Sequence, residues 1–496
     1  MTERRMGLGA LTDLVGPERV VGIPVGEVTG LTTDSRAVAP GSLFFAVPGV
    51  HVDGHDYVAD VAEAGAVAVV VERELPDVAV PQLVVDRTRR ALADAAAGWY
   101  GNPSQQVTVI GITGTDGKST VAALVADILR AAGRRPGEIG TVFTTIGDER
   151  RPNEERTTTP EALELQAAMA AMVAAGNDTV VMEATSHGLA LDRTRNVRFA
   201  VGVVTTVTSE HLEFHGTVEA YRAAKARLVE AAPIAVLNAD DPTFGYFRER
   251  ARDRVLSYGI QSDADLRATD LVADARGTAF RLRTPTWSGD AAVPLPGRFN
   301  VANALAALGA AQALDLDLDL ATRGLAASAG VPGRMERVDG PQPFAVIVDY
   351  AHTEDALRKV LGILRPLTAG RLIVVFGSAG ERDATKRAPM GRVAAELADL
   401  VIVTDEDPRL EDPRLINEAI ADGARSAGAR DGERLWVIDD RRAAIGHAIG
   451  LARAGDVVLL AGKGHEASMF HGTEKRPWDD GAAAREALAA AGWGTT

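Results

Sequence analysis

Ten consecutive residues, Gly111-Ile112-Thr113-Gly114-Thr115-Asp116-Gly117-Lys118-Ser119-Thr120, have the types and spacing of a phosphate cradle. Glycines let backbone N–H groups approach an anion, and a following helix N-terminus adds its own. A lysine reaches the terminal phosphates of a nucleoside triphosphate, and a hydroxyl beside it joins the shell of a Mg2+ ion. Lys118 and Ser119 fill those two places, with Gly114, Thr115, Asp116, Gly117 and Thr120 as the remaining nucleotide contacts. The strict pattern wants glycine five residues before Gly117, where Ile112 stands, so the loop is a variant.

Other candidates collect behind apolar runs. Glu183, Thr185, Ser186 and His187 follow Asp178 to Met182; Ser209, Glu210 and His211 follow Phe199 to Val207; Asn238 to Asp241 follow Ile234 to Leu237. The carboxyl ends of strands in an open α/β sheet form the ligand crevice, so these groups are expected at one site. Glu183 stands where an acidic Mg2+ ligand would, the alternative being a solvated strand-end carboxylate. His211 reads either as a second metal or phosphate contact or, as a lone histidine more often does, as an ordinary polar residue. Lys225 lies in a helical stretch, Tyr221 to Leu228, and on residue type alone reads as an exposed lysine. Asp34-Ser35-Arg36 and His51-Val52-Asp53-Gly54-His55 read, on the same grounds, as turn and loop residues.

These groups need a scaffold of alternating strands and helices. Val107 to Ile110 predicts a strand before the loop, and Val121 to Gly133 a helix after it. From 104 to 328 the alternation implies a mainly parallel sheet, interrupted over 255–290 by an antiparallel excursion. A second α/β run, 329–496, has strands at Phe344 to Val348, Arg371 to Phe376, Leu400 to Val403 and Val457 to Leu460, again followed by polar clusters. The first 103 residues form a small α/β domain, with strands at Ser42 to Val47, Ala66 to Val71 and Gln82 to Val85. The expectation is an α/β protein of three domains: 1–103, a central P-loop ATPase domain over 104–328, and a Rossmann-like domain over 329–496.

Composition narrows the class. The chain has 496 residues, 46% hydrophobic and 24% charged, which is ordinary for a globular protein. A net charge of −15 argues against a general nucleic-acid or anionic-membrane surface. There is no cysteine, hence no disulfide and no thiolate metal site. No apolar run is long enough to span a bilayer, and the N-terminus lacks an apolar signal core, so the expected location is the cytoplasm.

Taken together the motifs resemble the Mur ligases, ATP-dependent amide-forming enzymes of peptidoglycan precursor synthesis. The likeness runs from about residue 30 to residue 480. It rests on Thr33 to Arg36, His51 to His55, Gly111 to Thr120, Thr158 to Glu161, Glu183 to Leu189, His211 to Gly216, Ala223 to Lys225, Asn238 to Pro242, Gly297 to Asn303, Gly333 to Glu336, Asp349 to Thr353, Gly377 to Arg387, Asp405 to Arg409 and Gly462 to Glu466. The branch resembled adds the third amino acid to UDP-N-acetylmuramoyl-L-alanyl-D-glutamate.

The resemblance implies that 1–103 bind the UDP-sugar, 104–328 bind ATP and 329–496 bind the amino acid. It implies that Ser35 contacts the uridine diphosphate, and that Thr158, Thr159, Thr185 and Arg193 line the muramoyl-dipeptide. Lys118, Glu183, His211 and Lys225 are the implied catalytic set, with Ser119, Glu183, His211 and a carbamylated Lys225 around Mg2+. Asn300, Arg334 and Asp349 are implied to contact ATP; Arg382, Asp407, Arg409, Gly462 and Glu466 to hold the amino acid. A monomer acting on small molecules is expected.

Departures from the family pattern carry information. Asp116 stands where asparagine is usual, Ser119 where threonine is, Thr185 where serine is, Leu191 at a glutamine position and Glu354 at a proline position. In the pocket, Glu406-Asp407-Pro408-Arg409 replaces the Asp-Asn-Pro-Arg of the diaminopimelate enzymes. Arg409 can still grip a carboxylate bidentately. A carboxylate at Asp407 suits a bare ammonium better than a zwitterionic end, which favours L-lysine or L-ornithine over meso-diaminopimelate. Rival readings are a folylpolyglutamate-type ligase, a nucleotide-hydrolysing switch, and a scaffold without activity.

Overall fold

The computed structural model describes residues 4–49, 52–153 and 157–494, so His51 of the first polar motif lies outside the described residues. The chain divides into two compact units, one of residues 1–258 and 306–317, the other of 259–305 and 318–496.

The first unit holds two sheets. The smaller is 5-stranded, in the order Arg19–Val21, Gln82–Val84, Ala68–Val71, Ser42–Phe45, Gly30–Thr32. Only Arg19–Val21 runs antiparallel to its neighbour. Its apolar strands are buried on both faces, as a covered parallel sheet requires: Leu43, Phe45, Ala68 and Val70 face one cluster, Phe44, Val69 and Val71 the other.

In the larger sheet Thr108–Thr113 lies between Thr179–Glu183 and Phe199–Val204, all parallel. Pro136–Ile139, Ile234–Asn238 and Arg254–Gly259 extend it in the same sense. A hairpin, Phe143–Ile146 with Glu149–Pro152, pairs antiparallel at one edge. Carboxyl ends of several parallel strands therefore meet on one side, which is what a strand-end site needs. The strand before the phosphate loop is longer than expected and the helix after it begins earlier, at Lys118. The antiparallel excursion is shorter than 255–290 suggested, because Arg254–Gly259 joins the parallel sheet.

The second unit contains that excursion, a meander of Leu266–Asp274, Gly277–Arg283 and Ser288–Val293. It also holds a 6-stranded sheet, ordered Glu336–Arg337, Ala345–Asp349, Val457–Ala461, Leu372–Phe376, Leu400–Val403, Leu435–Val437. All but the first pair are parallel. Val346, Val348, Ile373, Val375, Ile402, Val458 and Leu460 pack into one core with helix Arg441–Leu451. Leu435–Val437 escaped the sequence reading because a three-residue edge strand shows too little periodicity.

Candidate functional site

In the first unit the phosphate loop turns from strand to helix through two glycines. Gly114 has φ +153°, and a Cβ there would stand 1.8 Å from Thr205 Oγ1. Gly117, at φ +86°, is the N-cap of helix Lys118–Ala131. Both backbone states belong to glycine. The turn is pinned from the next strand: Thr205 Oγ1 donates to Asp116 O at 2.6 Å and Thr113 O at 3.2 Å. Thr115 N donates to Thr206 O at 2.6 Å, and Thr115 Oγ1 pairs with Tyr221 Oη at 2.8 Å. Burial pushes the Tyr221 phenol up to about 12, so it stays a neutral partner.

Two lysines meet at one carbonyl. Lys118 Nζ donates to Gly114 O at 3.0 Å and Thr115 O at 2.8 Å, and Lys225 Nζ donates to the same Gly114 O at 2.7 Å. Lys225 is 2% exposed, correcting the exposed reading. The signal was present, because Tyr221, Lys225 and Leu228 share one helical stripe and both neighbours are core residues. Burial, reinforced by the Lys118 charge, drives the Lys225 pKa well below the usual lysine value.

Glu183 ends its strand fully enclosed and surrounded by donors. Ser119 Oγ reaches its Oε2 at 3.0 Å, Thr141 Oγ1 reaches the same oxygen at 3.0 Å, and Thr141 N reaches Oε1 at 2.8 Å. A hydroxyl chain leads away from it. Thr141 Oγ1 pairs with Thr158 Oγ1 at 3.0 Å; Thr159 Oγ1 pairs with Thr185 Oγ1 at 3.0 Å and donates to Glu183 O at 2.9 Å. Arg193 Nη1 donates to Thr159 O at 2.8 Å, and its Nη2 lies 2.7 Å from Glu161. So Thr158, Thr159, Thr185 and Arg193 are brought together beside Glu183. Thr141 was missed, although it follows the strand Pro136–Ile139 as the other polar groups follow theirs.

His211 stands apart from that hydrogen-bond chain. It has a left-handed backbone, lies 3.3 Å from Glu213 and 3.6 Å from Glu210, and meets the His187 ring edge-on at 4.6 Å. Among the described residues no group of three or more His, Asp or Glu side chains is placed to hold a metal. Ser119 and Glu183 nevertheless fit Mg2+ by donor chemistry: both offer oxygen, one hydrogen bond apart, and a hard cation takes oxygen ligands. Ser35, half-buried, opens a short turn capped by Asp34, whose carboxyl Arg36 holds down to about 2.

The second unit has its own cluster. Lys463, wholly buried, donates to Asp407 Oδ1 at 3.0 Å and Glu466 Oε2 at 2.7 Å. Phe470 N adds a second donor to Asp407 Oδ1 at 3.0 Å, and Tyr350 Oη reaches Glu466 at 3.3 Å. Glu406 is 5% exposed; burial raises its pKa, and its Oε2 is buried without a partner. Gly462, which precedes Lys463, lies against that carboxylate. Arg409 is half-buried, its Nε also without a partner, and Arg382 is exposed. Asp349 accepts from Met335 N at 2.8 Å and Ala351 N at 2.9 Å, which ties the segment carrying Arg334 to the strand end. Asn300 is engaged internally: its Nδ2 donates to Pro296 O at 2.9 Å and its Oδ1 accepts from Asn303 Nδ2 at 3.2 Å. Lys463 was not singled out in the sequence, where a lysine between two glycines reads as a loop residue.

Comparison with known proteins identifies the family of the chain. Residues 27–100 match the Mur ligase family catalytic domain, 112–311 the Mur ligase middle domain and 333–464 the Mur ligase glutamate ligase domain. A UDP-N-acetylmuramyl-tripeptide synthetase of Roseiflexus sp. is 48% identical over 487 residues, covering 94% of this chain and 96% of the relative. The chain belongs to the Mur ligase family. A UDP-N-acetylmuramoyl-L-alanyl-D-glutamate–2,6-diaminopimelate ligase of Bacillus licheniformis is 43% identical, covering 93% of this chain and 95% of the relative. A solved structure of a ligase of that name superposes with TM-score 0.75 at 32% identity, covering 98% of this chain and 99% of the other. This Mur ligase is thus an ATP-dependent ligase of peptidoglycan precursor synthesis and uses ATP with Mg2+. Among the described residues no helix is long and apolar enough to cross a membrane.

Proposed function

We propose that this Mur ligase adds a diamino acid with a free distal ammonium, L-lysine or L-ornithine, to the D-glutamate of UDP-N-acetylmuramoyl-L-alanyl-D-glutamate. Residues 1–103 take the uridine diphosphate, with Ser35 among the contacts; 104–328 take ATP; 329–496 take the amino acid. The enzyme works in the cytoplasm as a monomer.

In this reading the glutamate side-chain carboxylate attacks the γ-phosphorus of ATP, ADP leaves, and an acyl phosphate forms. The free amine of the incoming amino acid then attacks the acyl carbon, and phosphate departs from the tetrahedral intermediate. Lys118 offsets charge on the γ-phosphoryl oxygens. Thr158, Thr159, Thr185 and Arg193 hold the dipeptide carboxylate in line, and Asn300, Arg334 and Asp349 hold the nucleotide. Ser119 and Glu183, with His211 and Lys225 as a carbamate, would hold Mg2+, which supplies further charge stabilisation when bound.

The observation that carries the amino-acid reading is the charge around Lys463. One buried ammonium faces two carboxylates, Asp407 and Glu466, so negative groups outnumber it. Such a pocket attracts a second ammonium. Arg409 favours a second reading, meso-diaminopimelate, because its Nε is buried without a partner and a distal carboxylate would supply one. A ligation assay with the UDP-dipeptide, ATP, Mg2+ and each amino acid separately, read by mass spectrometry, decides between them. Product with lysine or ornithine is expected; product with diaminopimelate alone would make Arg409 the reader, and none with any amine would remove the ligase assignment of the pocket. Asp407→Asn is expected to shift competition toward diaminopimelate by about tenfold, and an unchanged ratio would clear Asp407 of that role.

A further inference from the structure

Arg441 is among the largest fully buried side chains of the molecule, and the chemistry described so far does not use it. It opens helix Arg441–Leu451. Its partner Asp480 is equally enclosed: Nε donates to Oδ1 at 2.8 Å and Nη2 to Oδ2 at 2.6 Å, a bidentate fork. Trp478 Nε1 donates to the same Oδ1 at 2.7 Å.

The other donors of the guanidinium go to main chain. Nη2 reaches Ala461 O at 2.9 Å and Nη1 reaches Asp405 O at 3.3 Å. Ala461 ends the strand Val457–Ala461, and Asp405 follows the strand Leu400–Val403. Those strands are not neighbours, because Leu372–Phe376 lies between them. One side chain therefore spans the end of the middle strand and ties together the roots of two loops. The first loop carries Glu406, Asp407 and Arg409; the second carries Gly462, Lys463 and Glu466. Above the tie, the same loops meet again through Lys463 and Asp407. The turn before Arg441 is stitched to the first loop as well: Asp439 O accepts from Thr404 Oγ1 at 3.1 Å, and Asn417 Nδ2 bridges Asp405 and Asp439 at 2.8 and 3.1 Å.

A buried ion pair is seldom the most stable filling for its space, since well-packed apolar residues often do as well or better. Its planar fork does fix distances that apolar packing would not. We propose that Arg441, oriented by Asp480 and Trp478, is a positioning residue for the amino-acid pocket, setting the spacing of the two loops and so the affinity and choice of the incoming amino acid. This rests on the assignment of 405–409 and 462–466 to that pocket.

The test compares full-length wild type, Arg441→Lys, and the double variant Arg441→Met with Asp480→Leu, with each substrate varied in turn and thermal melting alongside. The double variant removes both charges together and leaves neither buried alone. The amino-acid KM is expected to rise at least about tenfold in both, with the KM values for ATP and UDP-dipeptide within about twofold of wild type. Discrimination between lysine and diaminopimelate is expected to narrow. An amino-acid KM within twofold of wild type, whatever the melting temperature does, would overturn the proposal, as would a proportional rise in all three KM values. Should the double variant fail to fold, Asp480→Asn carries the same comparison, since it keeps the shape and breaks one arm of the fork. If wild type uses diaminopimelate, the amino-acid reading falls while the KM test proceeds with that substrate. If wild type ligates no amino acid, the pocket assignment falls, and the proposal with it.

Discussion

An ammonium taken out of water costs several kcal/mol unless its surroundings replace the lost hydration. Lys225 has one carbonyl, Gly114 O at 2.7 Å, and the Tyr221 ring face with its centroid 4.5 Å away. Both are neutral, and Lys118 brings a like charge. The unfolded chain holds this proton to about pH 10, whereas the fold releases it at lower pH. Between those two values the folded state binds fewer protons, so stability rises with pH across that window, and below it the full cost is present. Lys225→Met keeps the stem and drops the charge, and Gly114 O retains Lys118 as a donor. The variant is therefore expected to melt higher at neutral pH, by about 1–2 °C for each kcal/mol recovered. Ligation should fall at least about 100-fold. Calorimetry and the ligation assay read the two effects separately; a lower melting temperature would mean that the amine contributes more to the fold than its burial costs.

At the scale of elements, the phosphate loop is held both by its own helix, through Lys118, and by the residues that follow the strand beside it. Thr205 turns its hydroxyl across to Asp116 O and Thr113 O just where Phe199–Val204 ends. Thr205→Val preserves the shape and withdraws both bonds, leaving Asp116 O to find water. We expect a loss of about 1–2 kcal/mol in unfolding free energy and a several-fold higher KM for ATP with the UDP-dipeptide KM unchanged; equal rises in both would mean general loosening. The strands themselves were legible because parallel strands covered on both faces read as β-branched runs, and Leu400–Val403 was read to the residue. Strand ends also pointed to Glu183 and Thr185, whereas Thr158 and Thr159 came in only with the family resemblance. What sequence could not give was pairing across the sheet. Thr141 matters because Pro136–Ile139 lies next to Thr179–Glu183, a neighbour relation that no local pattern records. Lys463 and Arg441 gain their roles in the same way, from partners 56 and 39 residues distant.

For the molecule as a whole, the net charge of −15 hides where the arginines are used. In the first unit they join the helix Thr88–Trp99 of the small α/β region to the turns around the dipeptide residues. Asp192, with a side chain 11% exposed, receives Arg90 at 3.3 Å, Arg87 at 3.4 Å and Arg227 at 3.3 Å. Asp94 receives Arg195 at 2.8 Å, and Glu161 receives Arg89 at 3.1 Å as well as Arg193. Isolated surface pairs contribute little, about 0–1 kcal/mol, because water competes and side-chain entropy opposes them. Asp192 differs by being largely enclosed with three guanidinium groups around it. Removing its charge leaves those cations facing each other. Asp192→Asn, nearly the same shape, is expected to cost about 1.5–3 kcal/mol in urea unfolding, and Asp94→Ala less than about 1 kcal/mol. Arg193 follows one residue later, so Asp192→Asn should also raise the KM for the UDP-dipeptide, while Asp94→Ala leaves it unchanged. The order of the two costs is the decisive quantity: if Asp94→Ala proves the more damaging, the small region is held by its exposed pairs and Asp192 is not the hub.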